Sequence, residues 1–81
     1  MDTKQMQRSV GKIIQARRSK LGYSQESFAD AVGVHRTYIG SVERGERNVT
    51  LKNLLLIADG LKMPLSTLIA AAEAEVMISG S

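Results

Sequence analysis

The stretch from Ser24 to Asn48, SQESFADAVGVHRTYIGSVERGERN, decides how the rest of the chain is read. Ser24 suits the N-cap of a helix over about 25–32, with Glu26 in the first turn near the positive end of the helix dipole. Phe28, Ala29 and Val32 fall on the inner face of that helix, and Gly33 ends it. Val34 is an apolar residue inside the turn. A second helix follows over about 35–44, with Ile39 and Val42 inward and Gly45 as its stop. Asn48 and Thr50 then supply turn and cap chemistry.

These offsets are those of a helix-turn-helix. The first helix needs a small residue where the second crosses it, here Ala29. Four positions later the chain must turn sharply through a left-handed residue, here Gly33. Phe28, Val34, Ile39 and Val42 lock the two helices together. The second helix of such a unit lies in the major groove with its N-terminal residues on base edges. Those residues are His35, Arg36, Thr37 and Tyr38. Arg36 can donate a bidentate pair to guanine O6 and N7. Thr37 offers a hydroxyl and a methyl, and Tyr38 offers a ring for a thymine methyl and a hydroxyl for a phosphate. Gln25 can reach a phosphate or an adenine edge from the preceding helix. Arg44, Arg47 and Asn48 stand where a loop contacts the DNA backbone. Arg44 and Arg47 have a second use, as partners of Glu43 or Glu46. Ser41 and Lys52 are weaker candidates for backbone contact. Glu43 would be costly near DNA if left free, and is expected to pair with Arg18 of the first helix as a structural brace.

Outward from this unit the chain continues in helices. Met6, Val10, Ile13, Ile14, Arg17 and Leu21 recur at spacings of three and four and predict a first helix over 5–21, stopped by Gly22. A fourth helix is expected over about 51–62. Its apolar set (Leu51, Leu54, Leu55, Ile57, Ala58, Leu61) is wider than one stripe. Pro64 breaks the chain and can start a fifth helix over 65–77. The tail from Ile78 to Ser81 is short and expected to fray. No β-alternation appears. The expected fold class is all-α, five helices, in one domain over 1–81. Either both faces of the last two helices are core, or the face of Leu65, Leu68, Ile69 and Ala72 pairs with a second copy. The second reading is preferred, with about 65–77 as the dimerisation helix.

Composition narrows the function. The chain carries 11 Lys and Arg against 8 Asp and Glu, a net charge of +3, with a pI near 9.6, which favours an anionic partner. Residues 1–20 hold Lys4, Arg8, Lys12, Arg17, Arg18 and Lys20 against Asp2, whereas residues 65–81 hold only Glu73 and Glu75. This contrast suggests a basic face and a non-basic end. With one His and no Cys, there is neither a thiolate metal site nor a nucleophile–base pair, so no enzyme, metal or cofactor is expected. No apolar run has the length of a bilayer span, the polar N-terminus is not a signal peptide, and 65–78 lacks the basic residues that would favour a membrane surface.

The same residues resemble a known family. SQESFADAVGVHRTYIGSVERGERN is similar to the lambda-repressor-like, Xre-type helix-turn-helix proteins. Within that family, HRTYIGSVERGERN followed by VTLKNLLLIADGL resembles the controller proteins of bacterial restriction–modification systems, from about Val10 to Ile69. The resemblance implies a cytoplasmic, nucleoid-associated regulator with a five-helix domain, forming a homodimer through its C-terminal helices. It implies binding to pseudo-palindromic double-stranded operators upstream of the controller and endonuclease genes. Activation at low occupancy, through contact with RNA polymerase, would give way to repression at high occupancy. By position it makes Arg36 the main base reader with Thr37 and Tyr38 beside it, and puts Gln25, Arg44, Arg47 and Asn48 at backbone-contacting positions. His35 departs from the small or acidic residue common there. It is either a pH-sensitive phosphate contact or simply exposed. Phage-type repressors share the scaffold, as do antitoxins. An antitoxin usually adds a toxin-binding extension, and only about a dozen residues follow Leu68.

Overall fold

A computed structural model describes residues 1–79 of the chain. Its five helices are α1 (Thr3–Lys20), α2 (Gln25–Val32), α3 (Arg36–Glu43), α4 (Leu51–Gly60) and α5 (Leu65–Ser79). No strand occurs among the described residues.

Most boundaries follow from local chemistry. Helix α1 starts two residues earlier than its apolar periodicity predicts. Asp2 accepts from the Gln5 amide at 2.7 Å while the Gln5 side chain accepts from the Asp2 amide at 2.9 Å, a reciprocal cap that satisfies two orphan donors. Ser24 and Ser27 form the same device at α2, and Thr50 caps α4 through the Asn53 amide. Helix α4 ends at Gly60, short of the expected 62. There the chain turns left-handed at Lys62 (φ 59°) and the Met63 amide returns to the Ala58 carbonyl. Arg17 donates from Nε to the Leu61 carbonyl at 3.0 Å, placing a cation at the negative end of α4. The Pro64 carbonyl receives the Thr67 and Leu68 amides and opens α5. That helix runs past 77 to Ser79, so Ile78 and Ser79 belong to it; residues 80 and 81 of the expected frayed tail lie outside the described residues.

The core is continuous across all five helices: Val10 and Ile14 from α1, Phe28 and Ala29 from α2, Ile39 and Val42 from α3, Ile57 and Ala58 from α4, Leu61, then Leu68 and Ala72 from α5. Helix α5 packs alongside α1, and Ser9 Oγ donates to the Ala72 carbonyl at 2.5 Å between them. This placement corrects two sequence expectations. Leu68 and Ala72 are fully buried inside the protomer, and Leu65 and Ile69 are partly buried against the same core. The face read as a pairing surface is the face that meets α1, so Leu68 and Ala72 are not available to a second copy. Among the described residues, apolar surface is left over on α4, where Leu51, Leu55 and Leu56 are 65%, 52% and 40% exposed, and at the end of α5, where Met77 and Ile78 are exposed. The charge contrast between the two ends of the chain also does not make two ends of the molecule. Because α1 and α5 are neighbours, Lys12 stands 3.8 Å from Glu75.

Candidate nucleic-acid interface

The turn between α2 and α3 is built from backbone. Gly33 adopts φ +82°, and both its amide and that of Val34 donate to the Ala29 carbonyl, at 2.9 and 3.0 Å. A residue with a Cβ is strained there. Val34 tucks partly into the core, and α3 sets off across α2.

Helix α3 is exposed at one end only. Ile39, Gly40, Ser41, Val42 and Glu43 are all buried, five consecutive residues and so every side of the helix. His35, Arg36 and Thr37 are exposed, and Tyr38 is half-buried. The helix is sunk into the protein by its C-terminal half and presents its N-terminal turn. Gly11 permits this embedding. A Cβ at that position would lie 2.5 Å from the carbonyl oxygens of both Val42 and Glu43, so only glycine lets α1 pass so close to the end of α3. The sequence signal was a lone glycine inside an otherwise apolar helical repeat, which marks close approach.

Beneath the exposed turn lies the expected Arg18–Glu43 pair. Arg18 Nε and Nη2 donate to the two carboxylate oxygens at 2.6 and 3.0 Å, a bidentate fork. The side chains are 10% and 2% exposed. Arg18 Nη1 also donates to the Tyr23 carbonyl at 2.8 Å. The expectation for Gln25 needs amending, because its Nε2 donates to Glu43 Oε1 at 2.9 Å. Gln25 remains exposed but is oriented from below, with one amide proton committed to the brace.

The remaining groups fall around this turn. Arg36 reaches Glu26 at 3.5 Å, both side chains being about two-thirds exposed, a solvated pair of little energetic weight. Arg44 takes the second of its two possible uses: its Nε donates to Glu46 at 3.1 Å. That hydrogen bond and charge hold its pKa above the usual arginine value. Arg44 and Gln25 flank the bare backbone of Gly40, where an added Cβ would meet Arg44 Nη1 at 3.2 Å and Gln25 Oε1 at 3.5 Å. Arg47 donates from Nε to Ser41 Oγ at 3.0 Å and lies 5.7 Å above the Tyr38 ring. Ser41 in turn donates to the Tyr38 carbonyl at 2.7 Å. It is a buried strut and not a surface contact. Asn53 Nδ2 donates to the Tyr38 hydroxyl at 3.0 Å, a tie from α4 that the sequence reading missed. The hydroxyl accepts there, so its own proton remains to be given. Asn48 and Lys52 are exposed. Among the described residues no cluster of His, Asp or Glu could hold a metal ion, and no single helix is long and apolar enough to cross a membrane.

The arrangement is a short helix end bearing a guanidinium and a hydroxyl, flanked by Gln25, Arg44 and Arg47. It can donate into a groove while contacting the walls on either side. The family model described as helix-turn-helix matches residues 13–68. The control protein C.SmaI of Serratia marcescens is 42% identical over 69 residues, 85% of this chain and 79% of its own. Among solved structures, the restriction–modification controller protein C.AhdI of Aeromonas hydrophila aligns with a TM-score of 0.73 at 39% identity, covering 75% of this chain and 92% of that one. The controller protein C.Esp1396I, solved as a tetramer on its natural 35 base-pair operator, aligns with a TM-score of 0.79 at 32% identity, covering 89% and 95%.

Proposed function

Because this chain belongs to the helix-turn-helix family, among the controller proteins of restriction–modification systems, we propose that it is a transcription regulator of such a system. It binds operator DNA as a homodimer in the bacterial cytoplasm. The observation that carries the reading is the one-ended exposure of α3. A helix buried on all sides from Ile39 to Glu43, yet open at His35, Arg36 and Thr37, suits insertion by its N-terminus into a major groove. Arg36 reads a guanine and gives up its weak pair with Glu26 to do so. Thr37 and Tyr38 stand beside it. Gln25, Arg47 and Asn48 hold the phosphates on either side, as does Arg44 once it gives up its exposed pair with Glu46. No catalytic step is involved: the protein acts by occupying DNA.

Pairing falls to α4 and not to the face of α5 first considered. Leu51, Leu55 and Leu56 form a contiguous apolar surface that the protomer leaves uncovered. Two copies joined there present two recognition helices to successive major grooves, about one DNA turn apart.

Comparison of Arg36→Ala with Arg47→Ala tests the division of labour. The first should flatten the preference for operator over random DNA, by about 1–3 kcal/mol for one bidentate contact. The second should weaken both alike and lower the slope of log K against log salt by about 1. Identical behaviour of the two variants would overturn the assignment.

A further inference from the structure

His35 does more than begin α3. Its Nδ1 lies 3.2 Å from the Thr37 amide nitrogen and 2.8 Å from Thr37 Oγ1. An amide N–H can only donate, so Nδ1 must present its lone pair, and the imidazole carries its proton on Nε2. With Nδ1 bare, the 2.8 Å contact has a single polarity: the Thr37 hydroxyl donates and the imidazole accepts. A hydroxyl has one proton. That of Thr37 is committed to His35, and Oγ1 turns only lone pairs toward solvent.

The consequence concerns which bases Thr37 can recognise. In the major groove the donors are the exocyclic amines, N6 of adenine and N4 of cytosine, whereas guanine O6 and N7, adenine N7 and thymine O4 all accept. A free threonine hydroxyl rotates and serves either kind. We propose that His35 is a specificity-determining positioning residue: by taking the hydroxyl proton of Thr37, it makes Thr37 an acceptor for an exocyclic amine and bars it from donating to a keto oxygen or ring nitrogen. The inference rests on the reading that Thr37 faces base edges.

Deletion of single amines from the DNA tests this directly. The full chain is used to select a site from random duplexes. Each adenine in that site is then replaced by a purine nucleoside lacking N6, and each cytosine by a pyrimidinone lacking N4. For wild type, one base per half-site should lose roughly three- to tenfold in affinity, as one neutral hydrogen bond requires. The loss should vanish in Thr37→Val. In His35→Ala the freed hydroxyl serves either kind, so the preference for an amine-bearing base over a keto base at that position should fall away. It should return in His35→Asn, whose side-chain oxygen accepts as the imidazole nitrogen does. Nitrogen-15 spectra of the free protein should show Nδ1 unprotonated and Nε2 protonated, a readout that melting of the His35→Ala variant cannot disturb. An Nδ1–H tautomer overturns the proposal. So does an amine-dependent position that survives His35→Ala with its discrimination intact. If no amine deletion depends on Thr37 while Arg36→Ala still erases selectivity, this proposal fails and the DNA-reading site stands. If Arg36→Ala also leaves selectivity unchanged, the reading beneath it has failed as well.

Discussion

Glu43→Ala removes the centre of the brace under α3, and its effect follows from the geometry. The Glu43 carboxylate accepts from Arg18 Nε at 2.6 Å, Arg18 Nη2 at 3.0 Å and Gln25 Nε2 at 2.9 Å. With the carboxylate gone, a guanidinium whose side chain is only 10% exposed keeps the Tyr23 carbonyl as its partner. Stranding one charge of a buried pair costs about 3–5 kcal/mol. That is a large share of the roughly 5–15 kcal/mol by which domains are stable. For a chain of 81 residues each kcal/mol moves the melting temperature by about 4–8 °C, so the variant should melt about 12–40 °C lower. The paired variant Arg18→Met with Glu43→Leu removes both charges together. It should regain most of the loss, because exchanging a buried ion pair for apolar groups is close to neutral. Gln25 is exposed, so water replaces its lost acceptor. Circular dichroism melts give the stabilities, and DNA affinity is compared at a temperature where each variant is folded. Affinity per folded molecule should change much less than stability. A single variant melting within a few degrees of wild type would refute the brace. So would a paired variant less stable than the single, or lost binding with unchanged melting.

Four further outcomes follow from the packing and backbone geometry. Gly11→Ala should cost about 3 kcal/mol in urea unfolding, since its Cβ would sit 2.5 Å from two backbone oxygens that cannot withdraw without moving α3. Gly33→Ala meets no atom within 4 Å but must hold φ +82°, so it should cost only about 1–2 kcal/mol; the reverse order would contradict both accounts. Leu55→Lys should give a folded monomer with weakened operator binding in sedimentation and melting experiments, whereas Leu68→Lys, placing a charge in the protomer core, should fail to fold. An intact dimer of the Leu55→Lys variant would remove α4 from the interface.

What was legible in the sequence is what neighbouring residues decide among themselves. The α2–turn–α3 unit was readable because a cap at Ser24, a small residue at Ala29 and a left-handed turn at Gly33 act within one or two helical turns. The Asp2–Gln5 cap was equally local and equally readable; the apolar periodicity on which the start of α1 was placed simply does not register it. The Arg18–Glu43 pair was legible in part: an acidic residue beside a DNA-facing helix needs a cation, but residues 1–20 offer Lys4, Arg8, Lys12, Arg17, Arg18 and Lys20, and the packing of α1 on α3 decides that Arg18 reaches it.

The sequence by itself determined five helices, the glycine stops after α1, α2 and α3, and which turn of α3 is polar, because caps, glycines and apolar spacing are properties of short segments. Only the tertiary structure decided which apolar face is core and which is left over. Helix α5 is apolar on nearly every side, so nothing local distinguishes Leu68 from a surface residue until α1 covers it. Tertiary structure likewise decided that Gln25 is oriented by Glu43, and that Asn53 steadies Tyr38 from 15 residues away. The polarity of Thr37 lies between the two. Its partner, His35, is two residues distant, yet the bond forms only because the turn at Gly33 sets His35 at the N-cap of α3.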